Sequence, residues 1–302
     1  MTPLKWIATS AGVVVLLAAA GEVALATSSQ AAAPVAATAA TTTPAVAATS
    51  PQTSSVPIVI AAATAKAAAP SSSAATQPSA SSAPVGLGGW AGLLLPVNSS
   101  GRLSGKNAMS VSPARLYSPW LTRTSSGALE FWAPSGGATT PGSLHSRTEL
   151  ESAIKYDVGT VKHELDATLE IQQLPKSNPE ICVAQLHAGG HGGSDPFVMV
   201  DDKSGKLYVM VESGTGASPS FYTLLTNVAV GSSFSYRLAD NGNGTLTFSA
   251  SSGARSKSYT VRVPSAVDGA GGHFSAGDYE QGTVSEGSND GGKVLFTALS
   301  QS

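Results

Sequence analysis

The chain has 302 residues, one cysteine, and 17 Lys and Arg against 19 Asp and Glu, for a formal net charge of -2. A balance so near zero gives no whole-protein attraction to a polyanion, and no basic stripe points to nucleic acid, so an acidic ligand would have to meet a local cluster of cations. The single thiol excludes an internal disulfide and leaves the core alone to hold the fold. At the N-terminus Lys5 precedes an apolar segment from Trp6 through Val13 to Ala20, followed by Glu22 and the small-residue series Ala24-Leu25-Ala26. A positive start, a short apolar core and an A-x-A site form a secretory signal peptide, expected over residues 1-26. Glu22 ends the run short of the roughly 20 apolar residues a spanning helix needs. The mature protein is therefore expected to be secreted or periplasmic, without stable membrane insertion. Residues 27-88 are mostly Ala, Thr, Ser, Pro and Val, with Lys66 the only charge. Too few large apolar side chains are present to offset the entropy of ordering, so a disordered tether is expected there.

From 89 to 302 the texture changes to short alternating runs punctuated by Gly, Asn, Asp and Pro, the pattern of one all-β domain. Leu129 to Trp132 predicts a strand. The run from Val161 to Ile171 alternates throughout, with Val161, Leu165, Ala167, Leu169 and Ile171 on one face. The run Ile181 to Ala184 predicts a buried strand with Cys182 as an inert core thiol. Hairpins are expected at Phe197 to Val211, through the turn residues 201-206, and at Phe234 to Phe248, through Asn241 to Gly244. Further strands are expected at Tyr259 to Val263 and Val294 to Leu299. About a dozen strands with little helical pattern predict a jelly-roll β-sandwich with a concave substrate groove.

Three of these strands carry polar side chains at a spacing of two, which places them on one face. Arg147, Glu149 and Glu151 share a face of the first. On its own this is also the pattern of a solvated ladder of weak ion pairs. Gln185 and His187 share a face of the second, a donor beside a base. In the third, His273, Ser275, Gly277, Tyr279 and Gln281 align, with small residues suggesting open space beside Tyr279; a tyrosine at a sheet edge with its hydroxyl in water would look the same.

Together the three segments, Arg147-Thr148-Glu149-Leu150-Glu151, Gln185-Leu186-His187 and His273 through Gln281, resemble in chain order the motifs of the polysaccharide lyase family 7 alginate lyases. The lead-in Gly137 to Ser143 is similar as well. The resemblance covers 89-302 and implies a jelly roll that cleaves an acidic polysaccharide, alginate or a related polyuronate, by β-elimination. It implies Arg147, Gln185, His187 and Tyr279 as catalytic residues. Arg147 and Gln185 would bind the uronate carboxylate, His187 would take the C5 proton, and Tyr279 would protonate the leaving O4. Glu149, His273, Ser275 and Gln281 would line the substrate site. The chain departs from the family at three places: Glu151 stands for an arginine, Ser275 for a lysine and His273 for a tyrosine. Two cations are thereby absent from the expected groove.

No cofactor or metal is expected. His187 and His191 are four apart, but a strand followed by Gly-Gly does not form a helical His-x3-His ligand face. Hydrolysis of a glycoside would need two carboxyl groups across the sugar, whereas Glu149 and Glu151 are neighbours on one strand. Two other readings stay open: a non-catalytic carbohydrate-binding jelly roll, and a lyase for another polyuronate such as a glucuronan. A monomer is expected.

Overall fold

The computed structural model describes residues 83-189, 196-214, 217-283 and 289-302. The expected signal peptide, nearly all of the expected tether, and His191 lie outside the described residues. Within them there is no helix, and 16 strands form two antiparallel sheets. The nine-stranded sheet contains β1 (Trp90–Asn98), β2 (Ala108–Val111), β5 (Arg147–Ser152), β6 (Tyr156–Asp157), β8 (Glu180–Ala188), β9 (Pro196–Lys203), β10 (Lys206–Val211), β11 (Ser220–Leu225) and β15 (Gly271–Glu280). Its order is β11-β10-β9-β8-β15-β5-β1-β2, with β6 beside β15. The seven-stranded sheet contains β3 (Leu121–Arg123), β4 (Leu129–Pro134), β7 (Lys162–Gln173), β12 (Ser233–Asn241), β13 (Thr245–Ser252), β14 (Arg255–Arg262) and β16 (Gly291–Gln301), in the order β14-β13-β12-β7-β16-β4-β3. The two sheets stack as a jelly-roll sandwich.

Alternation explains the stacking. Along β7 the buried positions are His163, Leu165, Ala167, Leu169 and Ile171, while the residues between them stay partly exposed. Val161 does not join this face as expected: it precedes the strand and is 47% exposed, and His163 occupies the first inward position instead. His163 is accommodated by aromatic contacts, its ring stacked 5.3 Å from Phe274 and edge to face with Tyr156 at 4.8 Å. Between the sheets Phe131 and Phe296 meet edge to face at 5.1 Å, among fully buried Leu93, Leu95, Leu165, Phe234, Phe248 and Phe274. Cys182 is buried as expected.

Both hairpins form. The β9–β10 turn is tighter than residues 201-206 suggested, because the strands pair to Lys203 and Lys206 and leave only Ser204-Gly205 as the turn. Both turn residues have positive φ, 52° and 82°, the backbone of a type I′ turn whose twist matches the strands. Packing begins ahead of β1: Val85 donates to the Gly127 carbonyl at 3.0 Å and is buried in the core, although it falls inside the span read as tether. A chain starting at Ala83 is therefore expected to keep the thermal midpoint of the whole protein. A chain starting at Gly89 should lose about 1.5–3 kcal/mol, the cost of exposing a buried valine. Equal midpoints for the two would show that Val85 contributes nothing.

Candidate active site

Strand order assembles the site. The middle of the nine-stranded sheet runs β8-β15-β5, so the three polar segments are direct neighbours. In register, Tyr279 lies opposite Arg147, His273 opposite His187, and Ser275 opposite Gln185 on one side and Glu151 on the other. Tyr279 is thus on a central strand, not at a sheet edge. The alternate residues of β15 turn inward: Phe274 and Ala276 are fully buried, and the Asp278 carboxylate accepts from the Ala133 amide of the opposite sheet at 3.1 Å. The odd-numbered side chains are thereby left on the outer face.

Gly277 does not open space beside Tyr279. Its backbone is pressed onto β5, where an added Cβ would lie 2.8 Å from Glu149 Cα and 3.2 Å from Phe131 Cδ1. Only glycine permits this approach, and the register of β15 against β8 slips between Ala276 and Tyr279 at the same point. The bulge brings Tyr279 opposite Cys182 of β8, while the unbroken register with β5 sets it opposite Arg147.

Arg147 is the hub. One guanidinium nitrogen donates to Glu149 Oε2 at 3.0 Å and to Gln185 Oε1 at 3.3 Å, and the other donates to Ser143 Oγ at 3.3 Å. The guanidinium carbon stands 3.8 Å from the centroid of the Tyr279 ring, a cation–π contact. Ser143 Oγ also shares a hydrogen bond with the Tyr279 hydroxyl at 3.0 Å. Burial works against the Arg147 charge, yet the Glu149 carboxylate beside it holds the guanidinium above its ordinary pKa. Burial pushes the Glu149 carboxyl up, and Arg147 opposes that rise. Because its oxygen faces Arg147, the Gln185 amide turns its nitrogen away, and that buried Nε2 has no hydrogen-bond partner among the described residues.

His187 is 7% exposed and stacks on His273, with ring centroids 4.8 Å apart and planes 12° from parallel. Burial, and then the charge of Lys155, push His273 down to a pKa of about 4, so it is neutral at pH 7. The remaining expected substrate residues divide. Ser275 is almost fully buried between Gln185 and Glu151. Glu149 is 1% exposed and held by Arg147, which makes it an anchor for that side chain. The Gln281 side-chain amide donates to the Tyr279 carbonyl at 3.3 Å.

Sequence reasoning gave no role to Ser143 or His145. Ser143 bridges Arg147 and Tyr279, and the His145 ring sits 6.3 Å from the Tyr279 ring with Nδ1 2.9 Å from the Gly282 carbonyl oxygen. The only signal was their place in the lead-in loop, four and two residues before Arg147; such loops often carry function. Among the described residues no group of three His, Cys, Asp or Glu side chains is arranged to hold a metal ion.

A family model described as alginate lyase matches residues 89–302. The chain belongs to the alginate lyase family. This lyase is similar to the crystal structure of an alginate lyase from Pseudomonas aeruginosa, at 26% identity and a TM-score of 0.62 over 72% of this chain and 99% of that one. The alginate lyase from Klebsiella pneumoniae, at 20% identity, shares the fold with a TM-score of 0.59 over 72% of this chain and 95% of its own. A substituted family 7 alginate lyase solved in complex with substrate, at 22% identity, does so with a TM-score of 0.57 over 70% and 91%. No curated protein matches the chain. Fold and family together make this protein a polysaccharide lyase.

One buried acid of the lyase lies in the same row as the hub, three strands away. Cys182 is opposite Tyr279 in β15 and opposite Asp201 in β9, so Arg147, Tyr279, Cys182 and Asp201 form one row across the sheet. Burial, and then repulsion from Glu180, push Asp201 up to a pKa of about 8. Between its ordinary pKa near 4 and about 8, the folded state keeps a proton that the unfolded state has lost, so this group's contribution to stability falls as pH rises through that window. Asp201→Asn mimics the protonated acid. It is expected to raise the thermal midpoint relative to the parent at pH 8 and to leave it nearly equal at pH 4. Parallel curves for the two proteins would show that Asp201 does not titrate in this way.

Proposed function

We propose that this lyase cleaves alginate or a closely related polyuronate by β-elimination, using Arg147, Gln185, His187 and Tyr279. The carrying observation is that Ser143 ties the Tyr279 hydroxyl to the Arg147 guanidinium beside an unpartnered amide nitrogen of Gln185. A cation and an amide donor at that spot suit a uronate carboxylate. They would stabilise the enolate-like charge that grows there as the C5 proton leaves, the task of an oxyanion hole. The imidazole of His187, in its neutral form, takes the proton as a general base. The C4–C5 double bond forms as the C4–O bond breaks, and Tyr279 gives its phenolic proton to the departing O4. The new non-reducing end is an unsaturated uronate.

A family 7 alginate lyase solved with bound substrate and with bound product supports a polysaccharide as the ligand of this chain. A purely carbohydrate-binding domain would need neither a base nor an acid. The reading extends to export: the apolar segment before Ala26 supports a secreted or periplasmic protein, and the Ala, Thr, Ser and Pro composition that follows, up to the packed segment at Val85, supports a tether to a catalytic domain that acts as a monomer. The test is a screen of the purified protein against alginate, glucuronan and polygalacturonate for the ultraviolet absorbance of the unsaturated product. Absorbance rising on alginate is the expected result. Binding without any product would leave only the carbohydrate-binding reading.

A further inference from the structure

The outer face of the nine-stranded sheet does not end at the catalytic strands. In register, Gln185 lies opposite Met199, Met199 opposite Met210, and Met210 opposite Phe221, so one row runs from the site to the edge strand β11. Three strand spacings of about 4.8 Å place Phe221 on the order of 14 Å from Gln185. The orientation of Phe221 is fixed by its neighbour: Tyr222 packs inward, 6.0 Å from Phe248 and 5.3 Å from Tyr259 of the other sheet, so Phe221 must turn outward. It is 60% exposed, an unusual state for a phenylalanine. Tyr208 supports it edge to face at 5.7 Å and is itself held by a hydrogen bond from its hydroxyl to Glu180. Lys206 shares that face of β10, with its ammonium 5.7 Å over the Tyr208 ring. Lys203, in contrast, is paired with Glu180 at 2.8 Å.

We propose that Phe221, Tyr208, Met199, Met210 and Lys206 form an extended subsite for uronate residues of the substrate chain remote from the bond being cleaved. This rests on the polyuronate-lyase reading above. A uronate ring has an apolar C–H face and a carboxylate, and the patch offers a matching pair, an exposed aromatic surface and a cation. The row is continuous with Gln185, so a chain whose carboxylate is held there can run on across β9 and β10 to Phe221. Arg147 is paired with Glu149, and Lys206 supplies a further cation along the same face.

Steady-state kinetics on alginate oligosaccharides of increasing length test the subsite, with parent, Phe221→Ala and Lys206→Ala compared. For Phe221→Ala the ratio of kcat/KM for the longest to the shortest cleavable oligosaccharide should fall about five- to tenfold, through KM and not kcat, as expected for uniform binding energy. Lys206→Ala should lower the same ratio and flatten the dependence of KM on salt. Phe221 is largely exposed, so its truncation should not unfold the protein. Unchanged ratios in both variants would overturn the subsite. So would unchanged ratios accompanied by a change in sedimenting mass on Phe221→Ala, which would make the patch a contact between copies of the chain. Failure of the parent to cleave any polyuronate would instead sink the functional reading beneath it.

Discussion

Tyr279→Phe should lower turnover on polyuronate about 10²- to 10⁴-fold, the range for loss of a positioned proton-transfer group, while the domain stays folded. The substitution removes only the hydroxyl that shares a hydrogen bond with Ser143. The ring remains under the Arg147 guanidinium, so the cation–π contact at 3.8 Å is retained. Stability should therefore change little, and binding of product oligosaccharides should persist. His187→Ala is expected to lose a similar factor, because it removes the base and leaves His273 without its stacked partner. If both groups act on one elimination, the double variant should be far less impaired than the product of the two losses, since groups that act as a unit are not additive. Turnover is followed by the absorbance of the unsaturated product. Near-normal turnover for Tyr279→Phe would remove the phenol from the mechanism.

Arg147→Ala should show two losses that can be separated. Turnover should drop on the order of 10²- to 10³-fold for lost charge stabilisation. Stability should drop as well, by about 3–5 kcal/mol, because the Glu149 carboxylate would be left buried without its partner. Glu149 is 1% exposed and paired with Arg147 at 3.0 Å. Alone, it would hold its proton to still higher pH, so the instability of the variant should deepen as pH rises. Arg147→Ala combined with Glu149→Gln removes the orphaned charge. That variant should recover much of the thermal midpoint at pH 7 and none of the turnover. Recovery of both would mean that Arg147 only neutralises Glu149 and does not meet substrate.

The part of this architecture legible from sequence is the part set by a period of two. Alternation along β7 marked its inward face from Leu165 to Ile171, and the same parity placed Arg147 with Glu149, and Gln185 with His187. Turn chemistry marked the β9–β10 hairpin near Gly205. Where parity was extended past the end of a strand, as at Val161, or through a bulge, as at Gly277, local pattern and structure part. Neither residue type says where pairing stops or slips, because that is decided by the neighbouring strand.

By itself, then, the chain determined which side chains share a face along the unbroken run of each strand, since a pleated backbone turns successive side chains to opposite sides. It also determined that the core must stand without a disulfide, since it carries one cysteine. Only the tertiary structure decided that β15 lies between β8 and β5, bringing residues 147, 185 and 279 into adjacent positions. Strand order depends on long-range pairing, which no local period encodes. The same holds for Ser143, a loop serine whose role exists only once Arg147 and Tyr279 meet. Asp201 likewise acquires its raised pKa only when β9 pairs with β8 and excludes water from its carboxyl, because the cost of burying charge is a property of the surroundings and not of the residue.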